Sequence, residues 1–268
     1  MRTLSSAISV SRDERVDSSP SSKGNQIKWR TRDGFWLKAD DLGYEGLSEA
    51  VASELLKGSN IQSHVPYAPC IINEESVEYR GCVSDDFLAP GESLITIYRL
   101  LETNGYNADA LFDGKSAPEK LRILIETVTS IAKLPDFGKW LGRLFEFDAF
   151  ILNEDRHLHN IALIIALDEQ FRFMPVFDNG AAFLSDTRRD YPLTSPTFRL
   201  IDKVRGKPIA THFEKQIGAV RDVIGLSLRL DHSACLESEA FNRYREDEIG
   251  RVKQVIEIQS SRYPYLYS

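Results

Sequence analysis

Between Gly46 and Lys57 the apolar residues Leu47, Val51, Leu55 and Leu56 recur at helical spacing, and Gly58 follows as a stop. This pattern predicts a short amphipathic helix. Leu121, Leu124, Ile125, Val128 and Ile131 mark a second helix from Pro118 to Lys133, and Trp140, Leu144, Phe147 and Ile151 a third from Phe137 to Leu152. Glu92 to Glu102, His212 to Leu226 and Glu237 to Ser260 are expected to be helical as well. Strand patterns occupy the first part of the chain. Gln26 to Arg32 and Gly34 to Ala39 carry Trp29, Phe35 and Trp36 around Asp33-Gly34, a turn pair that predicts a hairpin. Val65 to Asn73 and Val77 to Leu88 read as two further strands. A second hairpin is predicted where the apolar runs Ile161 to Ala166 and Phe171 to Phe177 flank Leu167-Asp168-Glu169-Gln170.

These elements divide the chain. Residues 1–26 are rich in Ser and charge, a composition that predicts a flexible tail without regular structure. Residues 27–89 are strand-rich and form an expected N-lobe; residues 90–268, beyond the Pro90-Gly91 break, are largely helical and form an expected C-lobe. The stretch 184–210 is a polar loop with Pro192, Pro196 and Pro208 and the cations Arg188, Arg189, Arg199, Lys203, Arg205 and Lys207. With 268 residues and 42% hydrophobic content the chain can bury a sizeable core, as one large domain or as two lobes around a cleft, and two lobes are expected.

A net charge of -7 argues against a global basic field that would draw the protein to nucleic acid, so none is indicated as a partner. Any anionic ligand must meet locally placed cations. Cys70, Cys82 and Cys235 lack metal-ligand spacing, which indicates neither a disulfide framework nor a zinc site. No run reaches the roughly 18 apolar residues needed to span a bilayer, so no transmembrane segment is expected. A cytoplasmic protein is expected, with export or translocation as an effector, by a route that reads no apolar signal, left open.

The richest chemistry lies in Asn153-Glu154-Asp155-Arg156-His157-Leu158-His159-Asn160, followed by Phe177-Asp178-Asn179-Gly180. Asp155 and Asn160 stand at the interval that separates the base from the metal-binding amide of a kinase catalytic loop, and Asp178 follows at the place of the second metal ligand. Moving a γ-phosphoryl group needs Mg2+ on the phosphates, a cation beside them, and a carboxylate at the acceptor hydroxyl. Asp155 is the candidate base, Asn160 and Asp178 the candidate ligands of Mg2+, and Lys38 the cation for the α/β-phosphates of ATP. A glutamate should fix Lys38, and both Glu49 and Glu54 border the apolar face of their helix. His157 fits a residue that orders the loop better than it fits a second base, because a carboxylate already serves that role.

The order Asp-Arg-His-x-x-Asn resembles the loop of HipA-like kinases and of the phosphoinositide kinases. Lys38-Ala39-Asp40, Leu42-Gly43-Tyr44-Glu45-Gly46 and Gly81-Cys82-Val83-Ser84-Asp85-Asp86-Phe87-Leu88 sharpen the likeness. With them the chain resembles the HipA-like serine/threonine kinases, above all the small members of the cell-translocating CtkA type, over residues 20–185. The resemblance implies an α+β, two-lobed protein-kinase-like fold with a β-rich N-lobe and a mainly helical C-lobe. It favours Glu49 as the partner of Lys38. It implies a hinge to the adenine at Ser84, Asp85, Asp86 and Phe87, and a phosphate loop at Ser21-Ser22-Lys23-Gly24, although the Gly-x-Gly-x-x-Gly pattern of other kinases is lacking. Ser18, Ser19, Ser21 and Ser22 become candidates for autophosphorylation.

The function expected is therefore an ATP- and Mg2+-dependent serine/threonine protein kinase, autophosphorylating, with the toxin or effector biology of the family. Its partners would be a protein carrying the Ser/Thr acceptor and an antitoxin or host protein. A phosphoinositide-type lipid kinase shares the catalytic loop but would want a basic, membrane-facing loop after Asp178, with which the cationic stretch 188–207 partly complies, and a favourable surface charge, which the net charge does not supply. A nucleotide-binding pseudokinase acting as an interaction module is the remaining reading, and the filled catalytic positions weigh against it.

Overall fold

The computed structural model describes residues 7–16, 26–231, 233–237 and 239–267. Its first body is a six-stranded sheet of β1 (Ile8–Val10), β2 (Arg15–Val16), β3 (Lys28–Arg30), β4 (Phe35–Ala39), β5 (Ala68–Glu74) and β6 (Val77–Asp85), in the order β1-β5-β6-β4-β3-β2. All neighbours are antiparallel except β1 and β5. The β3–β4 turn follows the expected chemistry: Gly34 takes a φ of +84°, and Thr31 Oγ1 accepts the Phe35 N–H. Helix α1 (Glu45–Lys57) follows, and the second body holds β7 (Ser93–Thr96), α2 (Ile97–Thr103), α3 (Ala117–Ala132), α4 (Phe137–Ile151), β8 (Ala162–Ile165), β9 (Phe171–Phe173), α5 (Thr197–Ile201), α6 (Phe213–Val223) and α7 (Glu246–Arg262).

Residues 7–16 depart from the expectation of a tail without regular structure. β1 adds to the edge of β5 and buries Val10, while Arg15 of β2 pairs with the largely buried Glu74, which also accepts the Trp29 indole N–H. Strands of two or three residues carry no periodicity; a distant neighbour supplies their pairing. Residues 92–102 also differ, since Ser93–Thr96 is a strand paired with β8 and the helix starts only at Ile97. Thr96 Oγ1 accepts the Arg99 N–H and caps it. The final helix begins at Glu246, after short 3-10 turns, where Glu248 Oε2 accepts the Arg245 N–H and Asp247 Oδ1 the Glu248 N–H. The polar loop 184–210 contains the short helix α5, with Leu200 and Ile201 buried.

Two cores result. Val10, Trp29, Leu37, Ala39, Cys70, Ile72 and Val83 fill one face of the sheet. The apolar side of α1, from Tyr44 to Leu56, packs instead into the large core of the helical body. Gly58 ends α1 at φ −86°, so it is not there for a left-handed turn. A Cβ on Gly58 would stand 2.2 Å from the carbonyl oxygen of Asp231, and this close approach is what excludes a side chain. Asp231 N–H donates to Gly58 O, Arg229 N–H to Asn60 Oδ1, and Asn60 Nδ2 to Ser227 O, which ties the end of α1 to the helical body. On the sheet side, Arg80 of β6 pairs with Asp40 and, through both guanidinium ends, with Glu248 of α7. No described helix is long and apolar enough to cross a membrane.

Helix α1 meets β6 at two glycines: a Cβ on Gly46 would lie 2.7 Å from Gly81 C, and a Cβ on Gly81 would lie 2.0 Å from Lys38 O. Gly81→Ala is expected to destabilise the protein by about 2–4 kcal/mol, as overpacking against rigid backbone does. Gly218, in α6 with open space around its Cβ position, provides the contrast. Gly218→Ala should stabilise by about 0.5–1 kcal/mol. Urea unfolding followed by tryptophan fluorescence checks both signs.

Candidate active site

Lys38 is the penultimate residue of β4 and its side chain is buried at the junction of the sheet, α1 and the segment after β9. Its Nζ donates to Glu49 Oε1 at 2.6 Å and to Asp178 Oδ1 at 2.8 Å, and stands 5.1 Å from the centre of the Tyr67 ring. Burial pulls the Lys38 pKa down, but the carboxylates of Asp178 and Glu49 outweigh it and hold the group well above the ordinary lysine range. The Lys38 ammonium in turn holds Asp178 well below the usual carboxylate range, against the opposing effect of burial. Glu54 is turned elsewhere and pairs with Lys57. The other oxygen of Glu49, Oε2, accepts the Asn179 N–H at 2.8 Å, so one carboxylate grips both Lys38 and the turn that carries Asp178.

The loop after α4 is built on a buried ion pair. Leu152 ends the helix in the left-handed region at φ 60°, and the chain turns back so that Asn153 N–H donates to Asp148 O. Arg156 is fully buried; its Nε donates to Asp148 Oδ2 at 3.0 Å, its Nη1 to Phe177 O at 2.8 Å and its Nη2 to Asn179 Oδ1 at 2.7 Å. A buried guanidinium survives only with its donors satisfied, and here they fasten the loop to the turn at 177–179. Asp178 itself sits at φ 60°, a costly conformation for a residue with a side chain, held by these bonds on either side.

Asp155 and Asn160 are brought together on this support. Asn160 Nδ2 donates to Asp155 O at 2.8 Å and to Asp155 Oδ2 at 3.2 Å, while Asn153 Oδ1 accepts the Asp155 N–H. His157 Nε2 lies 3.6 Å from Asp155 Oδ1, beyond hydrogen-bond range, and its Nδ1 is buried without a partner. Burial lowers the His157 pKa, with Asp155 pulling the other way, and the ring meets that of His159 edge-on. His159 stacks on Tyr98 at 4.0 Å.

The remaining expected positions fall differently. Phe87 reaches the centre, its ring 5.1 Å from that of Phe177. Ser84 is buried at the end of β6 opposite Trp36, and Asp85 closes the same strand opposite Phe35. The Asp86 carboxylate is engaged by Arg30, and its N–H donates to Gly34 O. Ser21, Ser22 and Lys23, with Ser18 and Ser19, lie outside the described residues.

Three participants escaped the sequence reading. Asp148 stands among Phe147, Ala149, Phe150 and Ile151, and a charge inside that apolar run was the available sign of a buried partner such as Arg156. Lys207 Nζ lies 3.3 Å from Asp155 Oδ1, and nothing in its spacing separates it from the other cations of its loop. Lys28 stands opposite Lys38 on the neighbouring strand, and its charge helps to lower the Asp178 pKa.

The donor set suits a hard cation. Asp178 offers a carboxylate, and Asn160, whose Nδ2 is spent on Asp155, keeps its Oδ1 as an acceptor. Among the described residues no group of three or more His, Cys, Asp or Glu side chains could hold a metal ion by itself. Two oxygen donors fit Mg2+, which fills its shell with water and phosphate oxygens rather than an all-protein cage.

No family model and no curated protein matches the chain in sequence. Among solved structures it is similar to the proinflammatory kinase CtkA of Helicobacter pylori, with a TM-score of 0.63 and 13% identity over 96% of this chain and 95% of that one. It is also similar to the structure of HipA with HipB and operator DNA, from a toxin–antitoxin system of Shewanella oneidensis MR-1. There the TM-score is 0.50 and the identity 14%, over 92% of this chain and 65% of that one. At such identities the likeness is one of fold: the chain has the α+β fold of the CtkA and HipA kinases, as the sequence resemblance implied.

Because Asp178 stays ionised to lower pH in the folded protein than in the unfolded chain, its pairing stabilises the fold above about pH 4 and is lost below it. In buffer free of nucleotide and divalent cations, Asp178→Asn should lack this component. Its urea midpoint is then expected to fall less than that of wild type between about pH 5 and about pH 2.5. Parallel acid limbs for the two proteins would contradict the pairing.

Proposed function

We propose that this chain, sharing the fold of the CtkA and HipA kinases, is an ATP- and Mg2+-dependent serine/threonine protein kinase that also phosphorylates itself. The observation that carries the proposal is the convergence of Lys38, Glu49 and Asp178 in one ion-pair cluster, with Asp155 and Asn160 fastened to it through Arg156. In this reading residues 27–89 and 90–268 are the two lobes, and ATP lies between them with its adenine beside Ser84, Asp85, Asp86 and Phe87.

Lys38 contacts the α/β-phosphates, and Glu49 fixes the direction of its ammonium. Asn160 and Asp178 would hold Mg2+, which when bound neutralises phosphate charge. Asp155 orients the acceptor hydroxyl and takes its proton as the new oxygen–phosphorus bond forms and the bond to the ADP oxygen breaks. Asn160 Nδ2, bonded to both the carbonyl and the carboxylate of Asp155, fixes that carboxylate in its rotamer. His157 supports the loop. Ser21, Ser22 and Lys23 form the phosphate loop, and the serines between 18 and 22 are the sites of self-modification. HipA was solved with HipB and operator DNA. By analogy the partners proposed here are a protein substrate and an antitoxin or host protein, with toxin or effector activity.

Intact-mass spectrometry with peptide mapping after incubation with Mg-ATP tests the reading. Wild type should gain phosphate mass, Asp155→Ala should transfer about 10²–10⁴ times more slowly while binding nucleotide nearly as well, and Asp178→Asn should weaken Mg-ATP binding too. A gain of nucleotide mass would replace the reading with AMP transfer. Binding of ATP with no mass gain and no transfer to added protein would make the chain a pseudokinase.

A further inference from the structure

We propose that Lys207 is a further catalytic residue of this site: its ammonium binds the phosphoryl group in flight while it holds the Asp155 carboxylate. The inference rests on the kinase reading above and adds to it a group 52 residues beyond the base in sequence.

The geometry begins with Asp155. Its Oδ2 accepts from Asn160 Nδ2 and its Oδ1 from Lys207 Nζ, so the carboxylate is held at both ends. Lys207 itself stands on a fixed support. Val204 and Ile209 on either side of it are buried, Gly206 N–H donates to Thr211 O at 3.0 Å, and a Cβ on Gly206 would come within 3.2 Å of the Phe213 ring. A lysine tethered this closely loses less freedom on meeting a ligand than one on an open loop.

Charge then decides what such a lysine does. As the acceptor docks, the anionic Asp155 approaches a phosphoryl group whose negative charge is spread over three oxygens. A cation touching the carboxylate offsets the repulsion between these two anions and is strongest in the transition state, when they are closest. Neither the Lys38 ammonium nor the Arg156 guanidinium bonds Asp155, and Lys28 lies opposite Lys38, on β3. Lys38 lies between two carboxylates, and Arg156 is fully buried against Asp148, Phe177 and Asn179. The Lys207 side chain keeps 37% exposure and an ammonium has three protons, of which one faces Asp155. The others are available to phosphate oxygens. Lys207 keeps its protons throughout: the acceptor proton goes to Asp155 and ADP leaves with the electrons of the broken bond.

An exposed lysine paired with an aspartate is commonly worth little, so the test must read transfer rather than stability. Full-length wild type, Lys207→Met and Lys207→Arg are compared for phosphate transfer from Mg-ATP to casein and to themselves, and for Mg-ADP affinity by fluorescence. Methionine keeps the aliphatic stem and removes the charge. Lys207→Met is expected to lower kcat by about 10²-fold with KM for ATP and the Kd for Mg-ADP within about threefold of wild type, and Lys207→Arg to recover at least about a tenth of the rate. If wild type transfers phosphate and Lys207→Met does so within about threefold of it, the lysine assignment is overturned and the kinase reading stands. Loss of Mg-ADP affinity in both variants would reduce Lys207 to a structural residue and also overturn it. A wild type that binds nucleotide and transfers nothing overturns the kinase reading, and the assignment falls with it.

Discussion

The buried guanidinium of Arg156 is the constraint from which the rest of the centre follows. A charge with no exposure to water must have its donors met, and the groups that meet them come from α4, from the loop after it and from the turn at 177–179. Those three segments are thereby brought to one place. From Asn179 the chain of contacts continues through its N–H to Glu49, and from Glu49 to Lys38 on the sheet. The ion pair of Lys38 with Glu49 and Asp178 and the hydrogen-bonded carboxylate of Asp155 thus share one foundation.

Helix α1 couples the two bodies. It is packed on β6 at Gly46 and Gly81, yet its apolar side is part of the larger core, and the hydroxyls of Tyr44 and Ser48 donate to the carbonyls of Phe183 and Ala182 beyond the Asp178 turn. The pair between Glu49 and Lys38 therefore joins a helix that both bodies hold to a strand of the sheet.

Much of this organisation was legible in the sequence where periodicity ran long enough to be read. α3 and α4 have their predicted bounds to within a residue, and the β3–β4 and β8–β9 hairpins form around the turns that the Asp33-Gly34 pair and residues 167–170 indicated. Short segments whose partners lie far away were not legible: β1, β2 and β7 owe their pairing to β5, β3 and β8, not to any pattern of their own. At the centre, loop spacing was sufficient to single out Asp155, Asn160 and Asp178, which the structure brings onto one foundation. Periodicity left Glu49 and Glu54 equivalent, and burial separates them, since one faces Lys38 and the other faces Lys57. Lys207 was out of reach because its proximity to Asp155 is a product of how residues 202–211 fold back, which no local spacing encodes.

The anchoring of α1 also sets the centre apart from its supports in chain order. Lys38, Glu49, Asp155 and Asp178 all precede Ser227, Arg229 and Asp231, which fasten the end of that helix, and Glu248, which through Arg80 ties down the segment before its start. The bonds that join the first four to one another all lie within residues 38–179, and the anchors of α1 come later in the chain. The contacts made by Ser227, Arg229, Asp231 and Glu248 thus join residues more than 160 positions apart, a longer reach than any bond within the centre itself.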